Sequence, residues 1–257
     1  MWGIVPAAGQ GSRMQPLAFS KELLPVGSRR DGNRERPRAV SEYLVERLVL
    51  GGADKICFVI SPGKSDILEY YGGGVFSASV FYSVQPHASG LCDAVFRALP
   101  LIHDDEQVMV GLPDTIWFAE GALRALADDQ LSFLLFPVSR PELFDAVVLD
   151  HDRVLEIQVK SADARSKWIW GAFKMPGRTL RELHGLWLAR GQRDEYVGTL
   201  VNAWMAEGGR AHGVCAGENY VDVGTVQGYR EAIALLSAGD TAPVGESAAA
   251  NLDGMRR

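Results

Sequence analysis

A glycine loop followed by two basic side chains is the part of the sequence best suited to chemistry. Gly9 and Gly11 come directly after an apolar run, and Arg13 and Lys21 follow them. Glycine lets the backbone approach an anion closely, and successive N–H groups in such a loop can bind phosphate oxygens. Arg13 adds a cation whose planar fork matches the geometry of phosphate. The loop is therefore predicted to bind a phosphate group.

Two well-known glycine-loop patterns do not fit this segment. The Walker A loop has Lys and then Ser or Thr after its last glycine, whereas Ser12 and Arg13 follow Gly11 here. The dinucleotide-binding fingerprint has a third glycine where this sequence has Met14. The loop therefore belongs to neither of these nucleotide-binding classes.

Alternating strands and helices must position the loop. Short runs rich in β-branched and aromatic residues alternate with helical segments up to about residue 140. Strands linked by crossover helices form a mostly parallel sheet that is covered on both faces. The predicted strands are 2–7, 55–60, 80–84, 107–111 and 133–138, and the predicted helices are 41–50 and 91–99.

The pattern changes beyond residue 140. Strands 146–150 and 154–160 flank a polar turn, which predicts an antiparallel hairpin. We interpret residues 1–236 as one α/β domain and residues 237–257, which are rich in Ala, Gly and Ser, as a disordered tail. The remaining predicted elements are strands 169–174 and 211–215 and helices 179–190, 196–207 and 226–236.

Several motifs resemble those of one enzyme family and occur in that family's order. Residues 8–14 (AGQGSRM), Pro16, Lys21 and residues 24–26 (LPV) are similar to the signature of the sugar-1-phosphate nucleotidylyltransferases. That signature is G-x-G-(T/S)-R-(L/M), followed by P-K and L-P. The run 20–25 (SKELLP) resembles the glucose-1-phosphate uridylyl- and thymidylyltransferases in particular. Later segments that resemble the family are 85–91 (QPHASGL), 110–114 (VGLPD) and 221–225 (VDVGT).

The resemblance covers residues 2–236 and implies a fold. The family has a three-layer Rossmann-like α/β fold, with a central mixed, mostly parallel sheet and an inserted antiparallel hairpin region. By this resemblance, residues 1–140 form a nucleotide-binding half and residues 141–236 form a sugar-binding half of a single nucleotidyltransferase domain.

The resemblance also implies a reaction. A sugar 1-phosphate oxygen attacks the α-phosphorus of a nucleoside triphosphate in line, and pyrophosphate leaves. Arg13, Lys21 and Asp114 are the implied catalytic residues. Gln85 would hydrogen-bond the edge of a pyrimidine, which favours UTP or dTTP. The implied nucleotide-binding residues are Ala8, Gly9, Gly11, Ser12, Arg13, Gln85, Pro86 and Gly90.

A metal site and a sugar site follow from the same resemblance. Asp114 and Asp222 would hold Mg²⁺, which prefers one or two carboxylates together with phosphate oxygens and water. Lys160 would hold the sugar phosphate. The other implied sugar-site residues are Ala146, Val159 and Gly171.

The sugar site departs from the family pattern. Val159 stands where the family has a Glu that accepts hydrogen bonds from sugar hydroxyls, and Ala146 stands where the family often has Gly close to the sugar. Valine cannot accept such bonds, and the methyl group of Ala146 is expected to crowd the sugar. A sugar other than glucose is therefore an open alternative.

Composition limits the possible partners. The chain has 257 residues, and 26 basic against 32 acidic side chains give a net charge of −6. This balance argues against nucleic acid or an anionic membrane as the main partner. No apolar run approaches the ~20 residues needed to span a bilayer. The three widely spaced cysteines, Cys57, Cys92 and Cys215, are interpreted as core thiols of a cytoplasmic protein.

The motifs leave open the exact substrates and the assembly of the chain. The base could be that of CTP or GTP, the acceptor could be another phosphorylated compound, and the chain could be a non-catalytic regulatory protein that binds nucleotide sugars. Relatives in the family are commonly dimers or tetramers, so a homo-oligomer is also open. The arginine-rich segment 28–38 is expected to be a solvated loop, and it could instead be a mobile basic lid or an interface segment.

Overall fold

The computed structural model describes residues 1–240, so residues 241–257 of the predicted tail lie outside the described residues. The first part of the chain contains nine strands and three α-helices. These are β1 (Trp2–Pro6), β2 (Pro25–Asp31), β3 (Arg34–Ala39), α1 (Val40–Leu50), β4 (Lys55–Ile60), α2 (Ser65–Tyr71), β5 (Gly74–Val75), β6 (Ala78–Val84), α3 (Gly90–Phe96), β7 (Gln107–Gly111), β8 (Thr115–Trp117) and β9 (Leu131–Pro137).

The second part adds five strands and three α-helices within the described residues. These are β10 (Asp145–Asp150), β11 (Arg153–Val159), β12 (Trp168–Pro176), α4 (Gly177–Ala189), α5 (Val197–Ala206), β13 (Ala211–Val214), β14 (Tyr220–Asp222) and α6 (Val226–Asp240). Helix α6 continues to Asp240 and so passes the predicted end at residue 236.

One mixed sheet of ten strands has the order β10-β11-β13-β9-β12-β7-β1-β4-β6-β5. Strands β7, β1, β4 and β6 are parallel, as predicted. The predicted mixed sheet is confirmed, but the sheet as a whole is not mostly parallel: in the C-terminal part, where an antiparallel hairpin region was predicted, only β9 and β13 pair in parallel. The two-residue turn between β10 and β11 makes these two strands antiparallel neighbours.

The C-terminal strands also close on themselves. Strand β12 pairs with β9 and, through Ala146 and Ile169, with β10. Together with the β10–β11, β11–β13 and β13–β9 pairings, this contact closes a ring of five strands. The predicted hairpin 146–150/154–160 is confirmed as β10–β11 and forms one wall of the ring.

Helices cover both faces of the parallel strands. Successive side chains of a strand point to opposite faces, so Ile4 packs with α3, α4 and α5, and Val5 packs with α1 and α2. Both side chains are fully buried. Strands buried on both faces carry continuous apolar runs, which is why β4 has the sequence KICFVI.

The cysteines only partly match the prediction. Cys57 and Cys92 are buried in the core, and burial raises the pKa of each thiol to about 12. Cys215 is exposed, so its interpretation as a core thiol is wrong. It follows the end of a short strand rather than lying within one.

The arginine-rich segment forms a β-hairpin rather than the expected loop. Asp31 pairs with Arg34 across a two-residue turn that contains Gly32 at φ +61°. Arg36 donates to Asp31 at 2.7 Å and to Glu42 of α1 at 2.7 Å. A Gly-Asn pair between two strands is a hairpin signal, although the polar composition of the segment favoured a loop. These ion pairs attach the hairpin to helix α1.

No α-helix among residues 1–240 is both long enough and apolar enough to cross a membrane.

Candidate active site

The carboxyl ends of four parallel strands share one edge of the sheet. Loops that follow β1, β4, β6 and β7 therefore meet at this edge. In open α/β sheets, ligands bind outside the carboxyl ends of the strands. The predicted nucleotide-binding residues at 8–13 and 85–90, together with Asp114, lie in these loops.

The loop after β1 begins with a backbone contact and then opens to solvent. The Ala7 N–H donates to the Val59 carbonyl at 2.8 Å, and Ala8 is buried. Gly9, Ser12 and Arg13 are exposed, as a ligand-binding loop requires. Gly11 has φ +64°, and a Cβ there would lie 2.9 Å from Cδ of Lys21. Glycine at this position lets the Lys21 side chain pass across the loop.

A separate two-stranded sheet brings Asp114 and Asp222 together. Strand β8 follows Asp114 directly, and in its antiparallel pairing with β14 Thr115 lies opposite Asp222. The Val223 N–H donates to the Asp114 carbonyl oxygen at 2.8 Å, which fixes the two segments side by side. Neither strand was predicted, because each has only three residues and shows no periodicity.

The two predicted cations each contact one of these carboxylates. Lys21 Nζ lies 2.5 Å from Asp114 Oδ2. Arg13 Nη1 lies 3.2 Å from Asp222 Oδ2, although 209 positions separate them in the chain. The four charged residues predicted to carry out or support the chemistry are thus brought together. The Asp222 Oδ1 atom also accepts from the Gly224 N–H at 2.8 Å.

Gly224 marks the point where the two carboxylates converge. A Cβ at this residue would lie 2.8 Å from Asp114 Oδ2, 2.8 Å from Asp222 Oδ1 and 3.1 Å from Arg13 Nη2. Any side chain would collide with the charged cluster. The glycine of the 221–225 segment is therefore required by packing against these charged groups.

The carboxylates keep Lys21 charged. Burial alone would lower the pKa of Lys21, but the charge of Asp114 and the hydrogen bond to it raise the pKa above its usual value. Glu22 and Asp222 add to this effect. Lys21 is therefore a permanent cation at neutral pH, as a phosphate-binding group must be.

A buried ion pair below the loop was missed by sequence analysis. Lys64 Nζ donates to Glu22 at 2.7 and 2.8 Å and to the Ala7 carbonyl at 2.7 Å. Glu22 is only 1% exposed and Lys64 only 8%. The pair holds the residue next to Lys21 against the start of the glycine loop. The one sequence signal for it was a lysine following a predicted parallel strand.

Asp66 fixes the other side of Lys21. Its carboxylate accepts from the Ser20 N–H at 2.6 Å and from the Ser20 hydroxyl at 2.7 Å. Ser20 and Glu22, the two neighbours of Lys21, are thus both held by residues at the start of α2. A cleft of about 420 Å³ lies between this part of the chain and residues 10–21.

Gln85 and Gly90 are placed by contacts within the protein. Gln85 is buried, and its amide nitrogen donates to Asp93 at 2.8 Å and to the Gly90 carbonyl at 3.1 Å. Gly90 has φ +87°, and a Cβ there would lie 2.7 Å from Cα of Glu195. Packing against Glu195 is therefore sufficient to explain this glycine. Pro86 is exposed beside them.

Lys160 lies at the end of β11 with φ +44°. Its ammonium lies 4.8 Å from the centre of the Tyr196 ring, and its N–H donates to the Phe144 carbonyl at 3.0 Å. Its neighbour Val159 faces α5, since a Cβ on Gly198 would lie 2.7 Å from Val159 Cγ2. Both contacts of Lys160 are with residues beyond position 140, in the predicted sugar-binding half.

Two predicted sugar-site residues face the protein interior. Ala146 is fully buried between β11 and β12, so the prediction that its methyl group crowds a sugar is wrong. Gly171 is also buried, and a Cβ there would lie 2.5 Å from Cε2 of Tyr220 and 2.6 Å from the Phe136 ring. Gly171 therefore makes room for an aromatic ring and not for a ligand.

Tyr220 packs against Phe136, Phe144 and Gly171. Burial, with the negative charges of Asp222, Asp114 and Asp145, raises the pKa of Tyr220 well above its usual value, against a hydrogen bond with Thr115. Asp145 was not singled out in the sequence. Its neighbour Phe144 packs edge-on against Tyr220, with ring centres 5.7 Å apart, which places this end of β10 beside the segment that carries Asp222.

The donor set matches a hard divalent cation. Among residues 1–240, no group of three or more His, Cys, Asp and Glu side chains is arranged to hold a metal. Two converging carboxylates are nevertheless enough for Mg²⁺, which takes its remaining ligands from phosphates and water. Asp114 and Asp222 therefore fit Mg²⁺ better than they fit zinc, which is usually held by three or four protein ligands.

Paired charges are concentrated at this edge of the sheet, where phosphates would bind. Such an arrangement is typical of enzymes that transfer phosphorylated groups. The model of the family described as nucleotidyl transferase matches residues 2–239. The chain belongs to this family, and the resemblance seen in its motifs is confirmed.

Individual relatives agree with this assignment. The chain is 25% identical over 249 residues to a glucose-1-phosphate thymidylyltransferase of Neisseria meningitidis, covering 92% of this chain and 82% of that protein. A Bacillus anthracis structure with the provisional name glucose-1-phosphate thymidylyltransferase, in complex with sucrose, has a TM-score of 0.76 at 24% identity, over 91% of this chain and 95% of that one. UTP-bound UGPase from Acinetobacter baumannii has a TM-score of 0.74 at 19% identity, over 95% and 94%.

Proposed function

We propose that the chain transfers a nucleotidyl group from UTP or dTTP to a sugar 1-phosphate and releases pyrophosphate. The observation that carries this proposal is the convergence of Asp114 and Asp222 beside Lys21 and Arg13. The reaction brings two polyanions together, so the site must neutralise charge and hold the phosphates in line. The relatives named above act on, or are named for, substrates of this kind.

Asp114 and Asp222 would hold Mg²⁺. When bound, the ion neutralises phosphate charge and helps to orient the triphosphate. In the structure each carboxylate instead contacts a cation, Lys21 or Arg13. We expect both cations to turn from the carboxylates to phosphate oxygens when substrates bind.

The chain's own residues account for the other requirements. The N–H groups of residues 8–13 bind triphosphate oxygens, and Arg13 stabilises charge on the leaving pyrophosphate. Lys21 contacts phosphates of both substrates, and Lys160 holds the sugar phosphate. No general base is needed, because the attacking phosphate oxygen is already ionised at neutral pH.

Gln85 supports a base that carries an N–H donor. Its amide nitrogen is engaged by Asp93 and Gly90, which leaves the carbonyl oxygen as the acceptor for a base. Uracil and thymine each have an N3–H group, and cytosine does not. UTP and dTTP are therefore favoured over CTP.

We also propose that the two halves of the chain bind different parts of the substrates. The order β6-β4-β1-β7, with helices on both faces, supports a Rossmann-like nucleotide-binding half over residues 1–140. Residues 141–236 then form the sugar-binding half. Buried free thiols at Cys57 and Cys92 are in keeping with a reducing, cytoplasmic setting.

The test is pyrophosphate release from UTP, dTTP, CTP and GTP, each with the 1-phosphates of glucose, galactose, mannose and N-acetylglucosamine. Release is expected with UTP or dTTP and at least one sugar, and EDTA should abolish it. The matched control for the site is Asp105→Asn, since Asp105 is exposed in a distant loop. Absence of release from every pair, or release that is unaffected by EDTA, would contradict the proposal.

A further inference from the structure

Asp145 lies directly opposite Val159 in the sheet. The β10–β11 ladder pairs the two residues at its open end, one position before Lys160. Residues opposite each other in an antiparallel pair place their side chains on the same face, with Cβ atoms about 4.5–5.5 Å apart. The carboxylate of Asp145 is therefore on the same face as the valine and close to it.

The structure holds this carboxylate in place without neutralising it in a salt bridge. Trp170 Nε1 donates to Asp145 Oδ2 at 3.3 Å, and Trp170 itself is buried. Among the described residues, no cation lies within salt-bridge distance of Asp145. Burial raises the pKa of Asp145, against the hydrogen bond from Trp170 and the charge of Lys160. An ionised carboxylate can accept about four hydrogen bonds. Asp145 therefore retains free acceptor capacity.

The surroundings of Asp145 connect it to the groups proposed to hold the phosphate of a sugar 1-phosphate. Phe144, the residue before Asp145, packs its ring 5.7 Å from the ring of Tyr220, which lies two positions before Asp222, so this end of β10 is beside the proposed reaction centre. Lys160, the proposed ligand of the sugar phosphate, is next to Val159 in the chain. A sugar held between these groups would present its hydroxyls to the face that carries Asp145.

We propose that Asp145 is a specificity-determining residue that accepts a hydrogen bond from a hydroxyl group of the sugar 1-phosphate. This inference rests on the proposed function and deepens it. The Asp145 carboxylate supplies a hydrogen-bond acceptor on the face of the sheet where Val159 supplies none. This acceptor comes from β10, the strand next to the one that carries Val159.

The test compares binding of sugar 1-phosphates to the wild-type chain and to Asp145→Asn by calorimetry, in the presence of Mg²⁺. The best-bound of glucose, galactose and mannose 1-phosphate is titrated beside its 2-, 3-, 4- and 6-deoxy analogues. A hydrogen bond to a charged group corresponds to about a 10- to 100-fold difference in Kd. We expect the wild type to lose affinity by this factor for one deoxy analogue, and the variant to discriminate clearly less between that analogue and its parent, because an amide oxygen is a weaker acceptor than a carboxylate.

Two further variants separate a ligand contact from a structural role. Asp150→Asn, at the exposed far end of the same strand, should bind sugars like the wild type. Asp145→Glu retains the charge and should recover part of the discrimination. UTP and dTTP affinities and the melting temperature should be the same for Asp145→Asn and Asp150→Asn, which a merely structural role of Asp145 would not produce.

The outcomes distinguish this inference from the proposed function. Sugar binding with the expected loss of discrimination, but without pyrophosphate release, would support Asp145 and contradict the proposed reaction. Turnover with unchanged hydroxyl discrimination in Asp145→Asn would contradict Asp145 alone. A wild-type chain that binds none of the sugar 1-phosphates, or binds all deoxy analogues as well as their parent, would overturn the inference.

Discussion

The two halves of the chain organise their charged side chains differently. In residues 1–140, Lys21 and Lys64 each form a close ion pair, with Asp114 and with Glu22, at the carboxyl edge of parallel strands. In residues 141–236, Asp145 is held by an indole N–H and faces Val159 across an antiparallel ladder.

The difference shows how each half can vary. In the first half the charged groups lie in one loop region and contact one another, so loss of one leaves another unpaired. In the second half a side chain can move from one strand to its neighbour and still reach the same face of the sheet. We therefore expect the phosphate chemistry to be constrained and the sugar contacts to be adaptable.

Replacing Lys64 should cause the largest loss of stability among the substitutions in residues 1–140. Lys64→Met leaves Glu22 buried without its partner, which typically costs about 3–5 kcal/mol in the free energy of unfolding. Urea denaturation measures this change. Lys55→Met is the matched control, because Lys55 is about one-third exposed and its pair with Glu106 should contribute at most about 1 kcal/mol. Equal losses in the free energy of unfolding of the two variants would show that the buried Lys64–Glu22 pair is no more stabilising than the more exposed Lys55–Glu106 pair.

Replacing either carboxylate of the proposed metal pair should abolish most activity. Asp114→Asn and Asp222→Asn should each lower kcat at least ~100-fold, the scale for loss of a key electrostatic group. The double variant should be little worse than the poorer single one, because the two residues act as a unit. Steady-state pyrophosphate release measures this, with Asp105→Asn as control. Near-normal turnover in Asp222→Asn would mean that the second half contributes nothing to the chemistry.

Exchanging two residues across the ladder tests the adaptability of the second half. Asp145→Val should weaken sugar 1-phosphate binding about 10-fold or more. Adding Val159→Glu should recover part of that loss, because the carboxylate returns to the same face from the other strand. Val159→Glu alone places two like charges opposite each other, which should cost up to about 1 kcal/mol of stability. A double variant that binds no better than Asp145→Val would show that sugar contacts cannot pass between these strands.

The smallest expected effect concerns a charge far from the site. Burial would raise the pKa of Glu106, but hydrogen bonds from the His103 N–H and Lys55 lower it to about 2. A depressed pKa contributes stability above about pH 4.5 that is lost as the pH falls towards 2. Glu106→Gln should remove about 1 kcal/mol at pH 7 and flatten this acid dependence.

Urea denaturation at pH 7, 4 and 3 measures the change for Glu106→Gln. Pyrophosphate release at pH 7 should stay at the wild-type level, because Glu106 precedes the amino end of β7 and the proposed site lies beyond its carboxyl end. Loss of activity in Glu106→Gln would contradict the view that charges at the amino end of β7 only stabilise the fold, while charges at its carboxyl end take part in the reaction.

The regular strands could be predicted from the sequence, and the irregular ones could not. Strands β4 and β7 have the predicted bounds, because their apolar runs are long and bounded by turns. Strands β8 and β14 escaped prediction because three residues carry no periodic signal. The closure of the five-stranded ring also escaped, since it depends on a contact between Ala146 and Ile169 that no local pattern encodes.

The same division applies to the site. The convergence of Arg13, Lys21, Asp114 and Asp222 follows from motif order, because each lies in a segment that resembles the family. Roles that depend on tertiary contact could not be predicted. Lys64 has its role only because Glu22 folds over it, and Gly171 serves Tyr220 rather than a ligand.

The pairing of β8 with β14 has a consequence for a chain during its synthesis. A chain emerges from the ribosome with its N-terminus first, and its N-terminal parts can fold before the C-terminal parts are synthesised. A growing chain of this protein has the glycine loop and Asp114 long before Asp222 exists. The proposed metal site is completed only when nearly the whole described chain has emerged. Activity would therefore report on synthesis through Asp222, and products truncated before this residue would have no second carboxylate.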